Sequence, residues 1–168
     1  MRFDTSPSNR LRRDLDVALF ADCTNRELRR IDTLATIVDK KAGHVLCRQG
    51  EIGSQCFVLL DGHVHVDTNC RQYTVGPGAP LGEIALLITN GRRRATVTAR
   101  TDVAVLVFTR TEFNQLMQGL PIVAHKILNE ATRRLVENAE ARSAKTSPRP
   151  VPGVGGGAGV DTPYPQAS

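Results

Sequence analysis

Residues 80–99 read PLGEIALLITNGRRRATVTA, and the chain changes character twice within them. Gly82 precedes EIALL, an apolar run headed by a single Glu, which is the make-up of a short helix with its acid at the favourable N-terminal end. RATVTAR, residues 94–100, alternates apolar and polar positions instead, as a half-buried strand does. The helix therefore interrupts a series of strands. Three consecutive arginines, Arg92 to Arg94, stand at the mouth of the strand that follows it.

The flanks extend this pattern. TIVDKK, HVLCR, CFVLL, HVHVD and QYTV, between residues 36 and 75, are short strand-like runs separated by glycine or Asp-Gly. Asp61-Gly62 predicts a two-residue hairpin between CFVLL and HVHVD, because both residues tolerate positive φ. GPGAP at 76–80 predicts a rigid turn, and VAVLVF, after Thr101-Asp102, a last strand. At the N-terminal side, Thr24 and Glu27 have capping-box spacing ahead of Leu28, Ile31, Leu34 and Ala35, which recur with helical period. Thr109 and Glu112 repeat that spacing before FNQLM. Pro121 opens a further helix, expected to run to about residue 142 with Val123, Ile127, Leu128, Ala131, Leu135 and Ala139 on one apolar stripe. The expected fold is α+β: about eight short antiparallel strands in a jelly-roll-like roll or barrel, with one N-terminal and two C-terminal helices.

One domain of 168 residues accounts for the length. The formal net charge of +5 is unevenly spread. Residues 1–13 carry four arginines against Asp4, whereas residues 14–142 hold sixteen basic and fifteen acidic side chains. The division expected is a basic flexible arm (1–13), a folded domain (14–142) and a disordered Pro/Gly-rich tail (143–168). Direct DNA binding is not expected of a near-neutral domain with a disordered tail where a helix-turn-helix would have to lie. No apolar run is long enough to cross a membrane, and the N-terminus lacks a signal-peptide core, so a cytoplasmic location is expected. Cys23, Cys47, Cys56 and Cys70 have no C-x-x-C spacing and are expected to be free thiols, not a disulfide or zinc set. The four histidines have no compact metal-ligand spacing, and no catalytic triad, nucleophile elbow or P-loop lysine is present. Neither a metal, a cofactor nor an enzymatic activity is expected.

The chemistry concentrates back in residues 80–99. The turn at Gly82 would bring backbone amides of a short helix to the surface as an anion site, and an arginine of GRRRATV facing it would add charge-assisted bonds. Glu83 would repel a phosphate but suits the hydroxyl of a sugar. GHVLCRQGEIGSQCFVLLDGHVHV (43–66), GPGAPLGEIALL (76–87) and RRATVTARTDVAVLVF (93–108) together resemble the cyclic nucleotide-binding domain of catabolite-activator-type regulators, protein kinase A regulatory subunits and cyclic nucleotide-gated channels. Gly43, Gly50, Gly53 and Gly62 fall at that family's turn glycines, and LGEIALL with R-x-A-T-V matches its phosphate-binding cassette.

The resemblance implies roles residue by residue. Glu83 would accept a hydrogen bond from the ribose 2′-hydroxyl, Arg93 would bind the cyclic phosphate, and Gly82, Ile84, Ala85 and Ala95 would line the pocket. Arg94 stands where the family usually has a small residue, which leaves base selectivity open. The implied ligand is cAMP ahead of cGMP, with cyclic di-GMP as a further alternative. The implied function is a regulatory module whose C-terminal helix caps the base, moves on binding and signals to an effector protein. A homodimer through that helix, or a fold that has lost its ligand and serves as an interaction domain, are the other readings.

Overall fold

The computed structural model describes residues 15–146. The expectations for residues 1–13 and 147–168 lie outside them. After a single 3₁₀ turn at Ala18–Phe20, helix α1 (Asn25–Leu34) begins at a complete capping box. The Thr24 hydroxyl accepts from the Glu27 amide at 3.3 Å, and the Glu27 carboxylate accepts from the Thr24 amide at 2.7 Å. Strands β1 (Thr36–Lys40), β2 (Val45–Cys47), β3 (Gln55–Asp61), β4 (Val64–Asp67) and β5 (Gln72–Val75) follow. Then come β6 (Pro80–Leu81), helix α2 (Glu83–Leu87), β7 (Thr96–Ala99), β8 (Val103–Thr109), α3 (Arg110–Gly119) and α4 (Pro121–Thr146).

The strands form two four-stranded antiparallel sheets, ordered β1-β8-β3-β6 and β2-β7-β4-β5. β3 and β8 are the central strands of the first, and their near-continuous apolar sequences follow from burial on both faces. Phe57, Leu59, Val103 and Val105 point into the roll, where they meet Val64, Val66, Val97 and Leu81. Cys56, Val58, Leu106 and Phe108, at the alternate positions, pack outward beneath the helices against Phe20, Ile31, Phe113 and Ile127. Burying each of these large side chains contributes about 1.5–3 kcal/mol. The roll is thus tied to its helices through the strands that also line its interior.

The structure corrects three expectations. Asp61-Gly62 is not a hairpin turn: β3 and β4 belong to different sheets, and the dipeptide turns the corner between them. Gly62, at φ +81°, lies so close to the next corner that a Cβ there would stand 2.2 Å from the Asp102 carbonyl oxygen. Secondly, Pro80 and Leu81 pair with Val58 and Phe57 as an edge strand, which suits a proline with no N–H to donate. Thirdly, the buried face of α4 is Val123, Ala124, Ile127, Ala131 and Arg134, whereas Leu128 and Leu135 are exposed. α4 meets the rest of the fold along one narrow line and continues to Thr146, four residues further than expected.

Candidate functional site

The site forms where α2 interrupts the roll. Gly82 takes φ +77° as the residue before α2, a conformation that costs a side-chain-bearing residue dearly. The same glycine allows a close approach, since a Cβ on it would lie 2.0 Å from Arg93 Nη1. Through that gap Arg93 donates from Nη1 to the Gly82 carbonyl at 3.0 Å and from Nη2 to the Gln55 carbonyl at 2.6 Å. Its own backbone is fixed by Arg93 N–H to Glu51 O at 2.7 Å and Gly50 N–H to Arg93 O at 2.9 Å. The guanidinium carbon lies 5.7 Å from the Phe57 ring centre. Arg93 is only 7% exposed, and no carboxylate among the described residues forms an ion pair with it.

Glu83, the first residue of α2, is buried beside it at 1% exposure. Its partner comes from α4: Arg134 Nη1 donates to Glu83 Oε1 at 3.2 Å and to the Pro80 carbonyl at 2.5 Å, while Arg134 Nε donates to Glu130 Oε1 at 2.9 Å. Burial pushes the Glu83 carboxyl above the usual carboxylate range, and the Arg134 guanidinium offsets part of that rise. At its other end α2 is held by Arg110, the first residue of α3. Arg110 Nη1 donates to Leu86 O at 3.0 Å, and Nη2 donates to Ala85 O at 3.2 Å and to Gly53 O at 2.9 Å. Arginines from both C-terminal helices therefore grip the two ends of one five-residue helix.

Gly82, Glu83, Ile84, Ala85, Arg93, Arg94 and Ala95 all line one cavity of about 50 Å³. The side of α4 closes it with Arg134 and Asn138, and Cys47, Val66, Tyr73, Leu81 and Val97 complete its walls. Sequence reasoning reached the first seven and missed the two from α4. A signal for Arg134 was present, because the spacing of Val123, Ile127 and Ala131 carries a cation at position 134 onto the buried face. The arrangement pairs a buried guanidinium lacking a carboxylate with a buried carboxylate that has lone pairs to spare, which suits an anion next to a hydroxyl.

The family profile of the cyclic nucleotide-binding domain matches residues 37–119, the segment that holds both Glu83 and Arg93. That segment is a domain of this family. It is 39% identical over 93 residues to a cyclic nucleotide-gated potassium channel of Rhizobium etli, covering 55% of this chain and 26% of the channel. It is 38% identical over 88 residues to a cAMP-dependent protein kinase regulatory subunit of Schizosaccharomyces pombe, covering 51% of this chain and 21% of the subunit. The chain thus spans about a quarter of the length of these curated relatives. Among solved structures, the catabolite activator protein of Thermus thermophilus superposes with a TM-score of 0.63 at 26% identity, covering 76% of this chain and 62% of that one. The eight-stranded roll with flanking helices is the fold of this family.

Proposed function

We propose that this cyclic nucleotide-binding domain is a regulatory module that binds a cyclic mononucleotide, cAMP ahead of cGMP, and relays a movement of α4 to an effector protein. The observation that carries the reading is Arg93: a buried cation, held by two neutral carbonyls, with no carboxylate paired to it among the described residues. A buried charge without a counterion is costly, and a cyclic phosphate in the cavity would neutralise it. Glu83 keeps acceptor capacity for a ribose hydroxyl beside its bonds to Arg134. The cavity size supports the relay. Small-molecule pockets typically measure about 300–1,000 Å³, so one of about 50 Å³ admits a nucleotide only if α4 swings away from the roll. The exposed apolar residues of α4, among them Ile122, Leu128, Leu135 and Val136, would then present a surface to an effector or to a second copy. Free thiols at all four cysteines suit action in a reducing compartment such as the cytoplasm. Nothing in this reading calls for catalysis.

Thermal unfolding with millimolar cAMP, cGMP, cyclic di-GMP and AMP tests it. A ligand of this size binds at about ten micromolar if each heavy atom contributes roughly 0.3 kcal/mol. Millimolar ligand then stabilises by about 2.7 kcal/mol, a shift of several degrees. Stabilisation by one cyclic nucleotide and none by AMP is the expected result. The same small volume favours the second reading, an interaction domain that has lost its ligand, and no shift with any nucleotide would support that one instead.

A further inference from the structure

A second cavity, of about 140 Å³, lies between the β4–β5 turn and the C-terminal half of α4. Its charged walls are Arg94, just ahead of β7, and Arg142, on α4, and no carboxylate lines it. Neither guanidinium forms an ion pair or a hydrogen bond among the described residues. That sets the two apart from their neighbours. Arg71, on the same turn, is neutralised by Glu137, and Arg133 and Arg134 are neutralised by Glu130. Around the two free cations Gln49, Asn69 and Asn138 add side-chain amides, whose N–H groups are donors. Lys145 brings a third cation close by, donating to the Asn69 carbonyl oxygen at 3.0 Å. Two like charges that face one cavity repel each other until an anion lies between them.

We propose that this second cavity is a site for a free tetrahedral oxyanion of the phosphate class, which bridges Arg94 and Arg142 and pins α4 against the roll. Size selects the class. A water takes up roughly 30 Å³ of the liquid, so about 140 Å³ admits an ion of five heavy atoms, whereas small-molecule pockets typically measure about 300–1,000 Å³. Guanidinium forks match pairs of phosphate oxygens, and the amides can bond the oxygens that remain. Because Arg94 belongs to the roll and Arg142 to α4, an ion held by both is a cross-link between them. A nucleotide enters the first cavity only if α4 swings away, so the bound anion opposes its entry. By linkage each ligand then weakens the other by the same factor. The site itself stands on the cavity and its charges; its effect on nucleotide affinity rests on the cyclic-nucleotide reading above.

The test has two arms, both on the full chain with inorganic phosphate as the probe and chloride at matched ionic strength as the control. In the first, thermal unfolding is followed in about ten millimolar phosphate. Wild type and Arg93→Gln should gain about 2 °C or more. Arg94→Gln and Arg142→Gln should gain much less, and Arg142→Lys, which keeps the charge, should recover part of the response. Both arginines are exposed, so the glutamine variants should fold, and their transitions in chloride show it. No gain in wild type overturns the site, and so does a gain that persists in both glutamine variants, which is the general effect of an excluded salt. In the second arm, cAMP is titrated calorimetrically with and without phosphate. Phosphate should weaken cAMP by about fivefold or more in wild type and not in Arg142→Gln. Equal weakening in the two would put the phosphate on Arg93, and tighter cAMP binding would mean that the ion does not pin α4; either overturns the assignment. Cyclic di-GMP that bound more tightly than cAMP, and lost that advantage in Arg142→Gln, would give the cavity to a nucleotide's second phosphate and overturn the free anion. If wild type binds no cyclic nucleotide, the nucleotide reading falls while the first arm still decides the anion site.

Discussion

Arg134 and Glu83 lie 51 residues apart in the chain, yet their side chains meet at 3.2 Å with only 7% and 1% of their surfaces exposed. This contact joins α4 to the first residue of α2 at the wall of the cavity. A carboxylate this deep is tolerable only while its partner stays, so Arg134→Leu should destabilise the domain by about 3–5 kcal/mol at neutral pH. The sign of the pH dependence follows from Glu83. Burial already raises its pKa in the folded protein, and losing the guanidinium raises it further. The folded variant then holds a proton that the unfolded chain has released. The cost is complete above the folded pKa and disappears as pH falls below the ordinary carboxylate value. Urea unfolding of the variant between pH 4 and pH 8 should show its deficit against wild type shrinking on the acid side. Adding Glu83→Gln should recover part of the loss at neutral pH.

Gly82→Ala should hurt twice, through strain at φ +77° and through the collision of its methyl group with Arg93 Nη1. Gly43→Ala separates the two effects, because Gly43 has φ +86° with nothing within 4 Å of a Cβ. The Gly43 variant should lose about 1–2 kcal/mol from backbone strain alone. Replacing Gly82 should cost more and should also abolish ligand-dependent stabilisation by displacing Arg93. Thermal melts of both variants with and without cAMP decide the point.

Local chemistry made most of the fold legible. The two capping boxes, the alternation in β4 and β7, the apolar runs of β3 and β8 and the proline heading α4 each act within a few residues, so their sequence signals survive in isolation. Asp61-Gly62 misled because a turn dipeptide specifies its own dihedral angles but not the sheet its flanking strands join. That choice was made by β8, which lies between β3 and β1. The cassette half of the site was legible for the same local reason. Asn138 was not, and Arg134 only through the spacing of Val123, Ile127 and Ala131, because the packing of α4 decides which face of that helix crosses the cavity.

Arg93→Gln removes the charge while keeping a donor. Charge-assisted bonds to an anion are worth about 1.5–3 kcal/mol, so cyclic nucleotide affinity should fall by roughly 10- to 150-fold. The apo variant should be no less stable than wild type by more than about 1 kcal/mol, since the bonds lost are to neutral carbonyls and a buried charge is relieved. Calorimetric titration and unfolding of the same sample separate the two quantities. A variant that bound cAMP like wild type would remove Arg93 from the phosphate site.

Arg110 leads to a different prediction, because it touches the C-terminal end of α2 and not the cavity. Its guanidinium serves carbonyls of Ala85 and Leu86 that a helix of five residues leaves without intrahelical donors. The bond to Gly53 O ties the preceding loop to the same point. Arg110→Met keeps the length of the side chain and removes all three donors, so it should loosen α2 without filling or emptying the cavity. Hydrogen exchange at the amides of residues 83–88 should quicken by about tenfold or more in the variant, while exchange in the central strands β3 and β8 changes much less. Affinity for a cyclic nucleotide should fall as well, because the ligand must then order the cassette that Arg110 holds ready in the wild-type domain. Uniform acceleration across α2, β3 and β8 would instead make Arg110 an ordinary contributor to global stability.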